Sequence, residues 1–466
     1  MSVLRQVLCT VILCWIRMSL SITFSWPSFT VNLFKSENTT LHRPMTGTEA
    51  ALFGSLSSIG AMVGVPIAGL LLDVLGRKKC ALLSALIHVL AWSVIVFAKR
   101  VEILLACMFV AGISCAVFVV IPVYISEICQ PSIRGTMASF MIVSYCLGML
   151  WSYLIGGFLD YNPMCYACLS IAVAGLAMAV FLRESPVFLM RKGREEEAAD
   201  SIAFYRSTRR DSKTVVQEVD AIRQTLNPEE GEKTEEEEKL KSDSTTEKPK
   251  ETVSCLQFFK NSQSTRRAAT LALILILCSM LQGYVAVCVY AEPLFKEAVP
   301  DLSPILCSVL SAIIAIIASL SSAYLVDGLG RRPLMLYSSL GSGICCVLLG
   351  SQIQMHWGPP IMTVIIIYSF CFIYTLGAGA VPFVLAAELF VPEISSMMSM
   401  LIYELAWFCT FVVLFAFAPL VNLLGLGTLF YIFSVVCFFT TVYTYYKLPE
   451  TKGLTIDAIQ KLFLKK

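Results

Sequence analysis

The sequence predicts an all-α membrane protein: twelve transmembrane helices in two related bundles of six, joined by a polar helical linker. Three observations carry that prediction. Mean hydropathy is +0.75 with only 15% charged residues, far below the roughly one quarter charged of soluble chains. Twelve apolar runs are each long enough to cross a bilayer, which takes about 20 residues. A charged turn motif then recurs at corresponding places in the two halves.

The runs fall at 6–33, 51–72, 80–98, 101–125, 136–159 and 164–182, and then at 268–291, 303–326, 333–353, 360–386, 397–421 and 424–446. Six, a gap and six divide the chain into an N-terminal bundle (1–182), a linker (183–267), a C-terminal bundle (268–447) and a tail (448–466). Arg5 followed by an apolar stretch has the look of a signal peptide, but no small-residue cleavage site follows, so the stretch reads as part of the first span.

Charge sets the orientation. Short loops at 73–79, 126–135 and 327–333 carry Arg77, Lys78, Lys79, Arg134, Arg331 and Arg332, and positive loops stay on the cytoplasmic side. An even number of spans then puts both termini there, in a multi-pass protein expected at the plasma membrane. The loop at 35–50 must face outward, and it holds the glycosylation sequon Asn38-Thr39-Thr40. In the linker, Arg194 to Arg206 and Asp211 to Gln224 read as helices. Asn227 to Glu251, with four consecutive glutamates from Glu235, is too polar to order itself.

Several classes of function are excluded. A net charge of +2 with no basic face argues against nucleic acid. The cysteines sit singly in apolar runs, as small hydrophobes do, and the isolated Cys165/Cys168 pair lacks the partner pair a metal site needs. No nucleophile–base pair or metal-ligand spacing suggests an enzyme. The expected partners are the bilayer and a small solute, with no cofactor and a monomer sufficient.

The halves are repeats. Asp73-Val-Leu-Gly76-Arg77-Lys78 follows the second span and Asp327-Gly-Leu-Gly330-Arg331-Arg332 the eighth, 254 residues further on from Arg77 to Arg331. Pro122 to Glu127 closes the fourth span and Pro382 to Glu388 the tenth, at nearly the same offset. Glycine gives the turn its permissive backbone, while Asp and Arg are placed to pair with each other and with helix ends. Glu127 and Arg134 are placed to bracket the next loop in the same way. Such charges hold two bundles closed on one side until they separate.

On these motifs the chain resembles the sugar porters of the major facilitator superfamily, particularly the insect facilitated trehalose transporters. The family's P-E-S-P signature stands here as Arg183-Glu184-Ser185-Pro186, and its closing motif as Pro449-Glu450-Thr451-Lys452-Gly453. The resemblance implies two pseudo-symmetric bundles, a cytoplasmic helical domain, and alternating access around a midplane site.

At that site the chain departs from the family. The family's span-five Gln falls on Ile142, and its span-seven Gln-Gln-x-Ser-Gly run reads Ser279-Met280-Leu281-Gln282-Gly283. Its later asparagines fall on Val285, Ala315 and Ala406, the last beside a retained Trp407, and its span-ten Trp is Phe383. Gln282 is the main surviving amide. Each buried sugar hydroxyl left without a partner costs about 1–3 kcal/mol. The family's proton-coupling acid has no counterpart in span one and its span-four Arg falls on Met108, so transport should be facilitative. Seven residues after Glu388 stands Ser395 instead of Arg, which predicts a weaker cytoplasmic closure in the second half.

Two charges run the other way. Arg17 and Glu404 lie inside apolar spans, where an ionisable side chain is a functional candidate by default. They are placed to face the cavity, to pair across it, or to bind a charged solute. For Arg17 the competing reading is snorkelling to the interface, and for Glu404 a helix–helix contact. Glu292 reads as a rim residue and His88 as an interior histidine. The functional expectation is a facilitative carrier of a sugar or another small organic solute. The rival is a transporter-shaped receptor signalling through its central loop.

Overall fold

A computed structural model describes residues 2–226, 262–390, 392–454 and 456–465. The acidic stretch from Asn227 to Glu251 lies outside the described residues. Among the described residues, twelve helices are long and apolar enough to cross a membrane: Val3–Lys35, Gly47–Leu75, Arg77–Phe97, Val101–Ile128, Ser132–Phe158, Tyr161–Ala179, Gln263–Val289, Pro304–Val326, Arg331–Met355, Pro360–Ala386, Met397–Leu424 and Leu426–Lys447. They are spans 1 to 12 below. Some ends outrun the apolar runs because capping residues extend them. Span 7 starts at Gln263, where the Ser262 hydroxyl accepts the Thr265 N–H.

Spans 1, 4, 7 and 10 are interrupted. Span 1 is a helix from Ser2–Ser25 followed by one over Pro27–Lys35, since proline has no N–H to continue the ladder. Span 4 passes through a 3-10 turn at Ser114–Ala116. Span 7 breaks between Met280 and Tyr284, where Gly283 takes φ +91°. Span 10 breaks between Leu376 and Val381. Inside a bilayer the freed backbone groups must find partners within the protein. The breaks of spans 7 and 10 meet: the Ser279 hydroxyl donates to the Ala378 carbonyl at 2.5 Å, and the Tyr374 hydroxyl donates to the Ser279 carbonyl at 3.1 Å.

Packing inside the first bundle depends on small residues. A Cβ on Gly60 would stand 2.1 Å from the Phe109 carbonyl oxygen, and one on Gly112 would stand 2.2 Å from that of Ser57. Spans 2 and 4 therefore touch backbone to backbone, as glycine allows in membranes. Between the bundles, span 2 packs on span 11 and span 5 on span 8.

The bundle end away from the charged turns is sealed. Asn32 donates to Glu292 Oε2 at 2.7 Å, the Glu292 N–H donates to the Ser28 hydroxyl at 2.9 Å, and the Tyr153 hydroxyl donates to the Cys288 carbonyl. Glu292 is thus a cross-bundle contact, with burial pushing its carboxyl above the usual range despite Lys296 and Asn32.

At the charged-turn end, helices Pro186–Arg191 and Glu195–Arg206 lie against the first bundle, and Lys213–Leu226 packs on those two. Arg206 donates to the Ile128 carbonyl at 2.9 Å and Arg5 to that of Phe204 at 3.1 Å. The short first helix was not legible as one. The tail also carries a helix, Ile456–Lys465, whose Ile459 and Phe463 are buried and whose Phe463 carbonyl accepts Arg267 at 2.8 Å.

Gly112→Val should lower the melting temperature of the detergent-solubilised protein, since the opposing Ser57 backbone has nowhere to move and overpacking costs about 1–3 kcal/mol. Gly135→Ala, where a Cβ meets nothing within 4 Å, is the matched control and should leave the melt within experimental error.

Candidate substrate cleft and charged turns

The two charged turns are built alike. Gly76 and Gly330 take φ of +90° and +99°, which an L side chain enters only with strain. A Cβ there would also lie 2.5 Å from Glu184 Oε2 in the first turn and 2.6 Å from Glu450 Oε2 in the second. These carboxylates cap the helices that start just after the glycines. Glu184 accepts the N–H groups of Arg77 at 2.8 Å and Lys78 at 3.1 Å; Glu450 accepts those of Arg331 at 3.0 Å and Arg332 at 3.1 Å. An anion there satisfies donors that have no partner inside the helix and meets the positive end of its dipole. For Glu450, burial alone would raise the carboxyl, but the N–H groups of Lys452, Arg331, Arg332 and Thr451 outweigh it and hold the group below its usual range.

The arginines complete each cluster. Arg77 donates to Glu127 at 2.7 Å and to the Leu72 carbonyl at 3.1 Å; Arg331 donates to Glu388 at 2.7 Å and to the Val326 carbonyl at 3.0 Å. Ser185 and Thr451 add hydroxyl bonds to Glu127 and Glu388. Each cluster therefore ties a turn, the end of an interrupted span and the segment after the sixth helix of its bundle.

Three expectations change. Asp73 is 75% exposed and no nearer than 3.9 Å to Arg191 or 4.0 Å to Arg77, a peripheral member. Arg134 is exposed and, among the described residues, reaches only the Cys129 carbonyl, because Glu127 is turned inward to Arg77. Among the described residues, the ion pairs join groups inside one bundle or its adjoining linker and none crosses the interface. The side chain of Asp327 lies outside the described residues. In the second half the Arg–Glu pair is intact, though Glu388 is 30% exposed against 12% for Glu127.

The cleft lies between the bundles. Trp407 of span 11 stacks on Phe24 of span 1 at 5.3 Å and meets Phe118 of span 4 edge-on at 5.5 Å. Phe118 touches Tyr145 of span 5 at 6.1 Å, and Phe383 of span 10 touches Tyr403 at 5.5 Å. Arg17 projects among them, its guanidinium 4.4 Å from the Phe118 ring centroid. It points inward between the helices, so snorkelling does not describe it. Arg17, Phe383, Tyr403 and Trp407 are only half-buried although they lie on inner faces, which marks open space between the bundles. Toward the sealed end, Tyr153 and Tyr290 are buried. Toward the charged turns, Ile142 on the span-5 stripe of Cys146 and Met149 is exposed.

The remaining candidates divide. Gln282 is buried and donates to Thr440 at 3.2 Å and Ser339 at 3.5 Å, on spans 12 and 9. It faces the back of its own bundle, not the cleft. Ser279 is committed to the meeting of spans 7 and 10, Met280 is core beside Thr410, and Ala315 and Val285 belong to the apolar packing of the sealed half. Glu404 is half-buried with an orphaned Oε1, and it is not among the groups acting on Arg17, so the two do not pair. His88 sits 3.4 Å from the Ser114 hydroxyl at the span-4 turn. Sequence reasoning missed Phe24, Phe118, Tyr145 and Tyr403. Nothing in their residue type or spacing sets them apart from the other aromatic residues of the spans.

Two pseudo-symmetric six-helix bundles about a central cleft, each closed at one end by the same charged cluster, define a transporter of the major facilitator fold and not an enzyme. The chain matches the family described as "Sugar (and other) transporter" over residues 13–463 and belongs to it. It is 26% identical over 425 residues to the sugar transporter ERD6-like 7 of Arabidopsis thaliana, covering 90% of this chain and 86% of that one. It is 23% identical over 428 residues to the facilitated trehalose transporter Tret1 of Aedes aegypti, covering 90% of this chain and half of the relative's length, 50%. The inward-open xylose transporter XylE of E. coli superposes with a TM-score of 0.76 at 18% identity, covering 97% of this chain and 98% of the other.

Glu127→Ala strands Arg77, which is 4% exposed, and should destabilise the protein by about 3–5 kcal/mol, the usual cost of breaking a buried pair. Glu388→Ala, at the more exposed site, should cost less. Thermal melts of both variants in one detergent check the order, and equal losses would contradict it.

Proposed function

We propose that the protein is a facilitative carrier that works by alternating access and moves a sugar or another small organic solute, with the cleft favouring the latter. The observation that carries this is the make-up of the cleft wall: six aromatic side chains and one guanidinium, with the surviving amide Gln282 turned to the back of its bundle. A sugar ring offers hydroxyls all round, and each one left unpaired in a dry site costs about 1–3 kcal/mol. The substrates named for the relatives make saccharides the reference against which this chain is measured.

The same reading orients the protein. The basic turns, the linker helices and the tail helix lie on the cytoplasmic side with both termini, in the plasma membrane, and a monomer suffices for transport. The bundles of 1–182 and 268–447 move as units, with the charged clusters stiffening each and the Glu292 contacts parting when the outer side opens. Asn38, exposed in the turn after span 1, then lies outside and carries a glycan. No observation favours the receptor alternative.

Uptake into proteoliposomes of trehalose, glucose, a polyol and small organic anions tests the carrier. Saturable flux of at least one solute is expected, with trehalose or glucose far weaker than in the relatives; saturable trehalose flux at a relative's level would overturn the claim that the amide-lined site is gone. For sidedness, Asn38→Gln should abolish a glycosidase-sensitive mobility shift of the protein expressed in eukaryotic cells. Absence of any shift in the unaltered protein would count against the outward placement of that loop.

A further inference from the structure

We propose that the cleft is a binding site for a small organic monoanion with a flat apolar body, a carboxylate being the simplest case, and that Arg17 is the group that receives its charge. The inference rests on the carrier reading and names the substrate class of that cleft.

The argument begins with what surrounds Arg17. It lies midway along Val3–Lys35, and its guanidinium faces the interior between the bundles. The ionisable groups near enough to act on it are Tyr403, Cys14, Tyr145 and Cys146. None is a carboxylate. No hydrogen bond or ion pair of its guanidinium occurs among the described residues, and its Nε is buried without a partner. Other interior arginines of the chain are treated differently: Arg77 meets Glu127 and Arg331 meets Glu388, each at 2.7 Å. Arg206, the other buried arginine, meets Glu218, so each arginine buried for structure is given a carboxylate. Arg17 is given none.

An uncompensated guanidinium in a low-dielectric interior is costly, and intramembrane charges of this kind face a cavity or a ligand path. The Phe118 face at 4.4 Å offsets part of that cost through a cation–π contact. It leaves the planar fork of N–H donors free, and that fork matches a carboxylate in two-point geometry. The remaining wall suits an apolar body. Trp407 lies parallel to Phe24 and crosses Phe118, so ring faces stand beside the charge. The Trp407 Nε1–H is also buried with no partner, a second donor toward an anion that an indole cannot reciprocate as acceptor. Cation, aromatic faces and donors without acceptors select against a polyhydroxyl ring and for a flat anion.

Glu404 is the one acidic group of the cleft region named by the sequence, and it stands outside the set acting on Arg17. It is not a countercharge for the arginine.

The test uses the full-length protein, with benzoate and lactate as anionic probes and glucose as the neutral one. In detergent, benzoate should raise the melting temperature in a saturable way, lactate less, and glucose not at all at equal concentration. Arg17→Gln should lose at least tenfold in apparent benzoate affinity, and Arg17→Lys should lose less than Arg17→Gln because it keeps the charge without the fork. Without ligand, Arg17→Gln should melt no lower than the unaltered protein, because it removes an unpaired buried charge. A lower melt would assign Arg17 a structural role and overturn the proposal. In proteoliposomes, benzoate uptake should respond to an imposed membrane potential, an inside-positive potential accelerating entry.

Binding of benzoate that depends on Arg17 but brings no flux would refute the carrier reading while upholding the site. Saturable glucose flux unchanged in Arg17→Gln, with no protection by either anion, would uphold the carrier and refute the site.

Discussion

The contact on which each half of the structure depends is the ion pair between the arginine of a charged turn and the glutamate that ends an interrupted span: Arg77 with Glu127, and Arg331 with Glu388. Spans 4 and 10 are broken near mid-membrane, so neither is held straight by its own hydrogen-bond ladder. The pair fixes the far end of each to the turn between the second and third helices of its bundle. The carboxylates of Glu184 and Glu450 then fix that turn from beneath by capping the next helix. A broken helix becomes part of a stiff body through bonds at its end.

That placement bears on alternating access. A carrier needs two bodies that keep their shape while the space between them changes, and a strong ion pair across the interface would penalise one of the two states. The strong pairs here lie inside the bundles, and the cross-bundle contacts at the sealed end are single hydrogen bonds made by Asn32, Ser28 and Tyr153. Bonds of that kind exchange for water at modest cost when the face opens. Strength inside the bodies and weakness between them is what the motion requires.

Most of the architecture was legible because hydropathy and charge are properties of residue types. The twelve spans, the two-fold repeat and the arginine turns all follow from composition along the chain. Glu184 and Glu450 stood in visible motifs, yet their role was hidden because their partners are backbone N–H groups, which no residue type announces. Gln282 misled for a different reason. Its direction is set by the break at Gly283, with φ +91°, so helical periodicity from either side does not say which way it points. The rings of Phe24, Phe118, Tyr145 and Tyr403 carried no signal, since an aromatic residue in an apolar span looks the same whether it faces lipid, core or cleft.

Most hydroxyls of the membrane interior find a partner in their own helix, a solution closed to the guanidinium in the cleft. Along the spans, hydroxyls turn back to the carbonyl one turn earlier: Thr10 to Gln6, Ser55 to Ala51, Ser93 to Val89 and Thr440 to Val436. Such groups cost little in lipid because the helix itself is their partner. A guanidinium is too long and too richly supplied with donors for that solution. Its needs are met elsewhere in this chain by a carboxylate from another helix together with backbone carbonyls. Arg17 has neither, and it stands where the bundles leave space. At Arg17 and Trp407 open donors and space between the bundles occur together, which is the condition a binding site must meet.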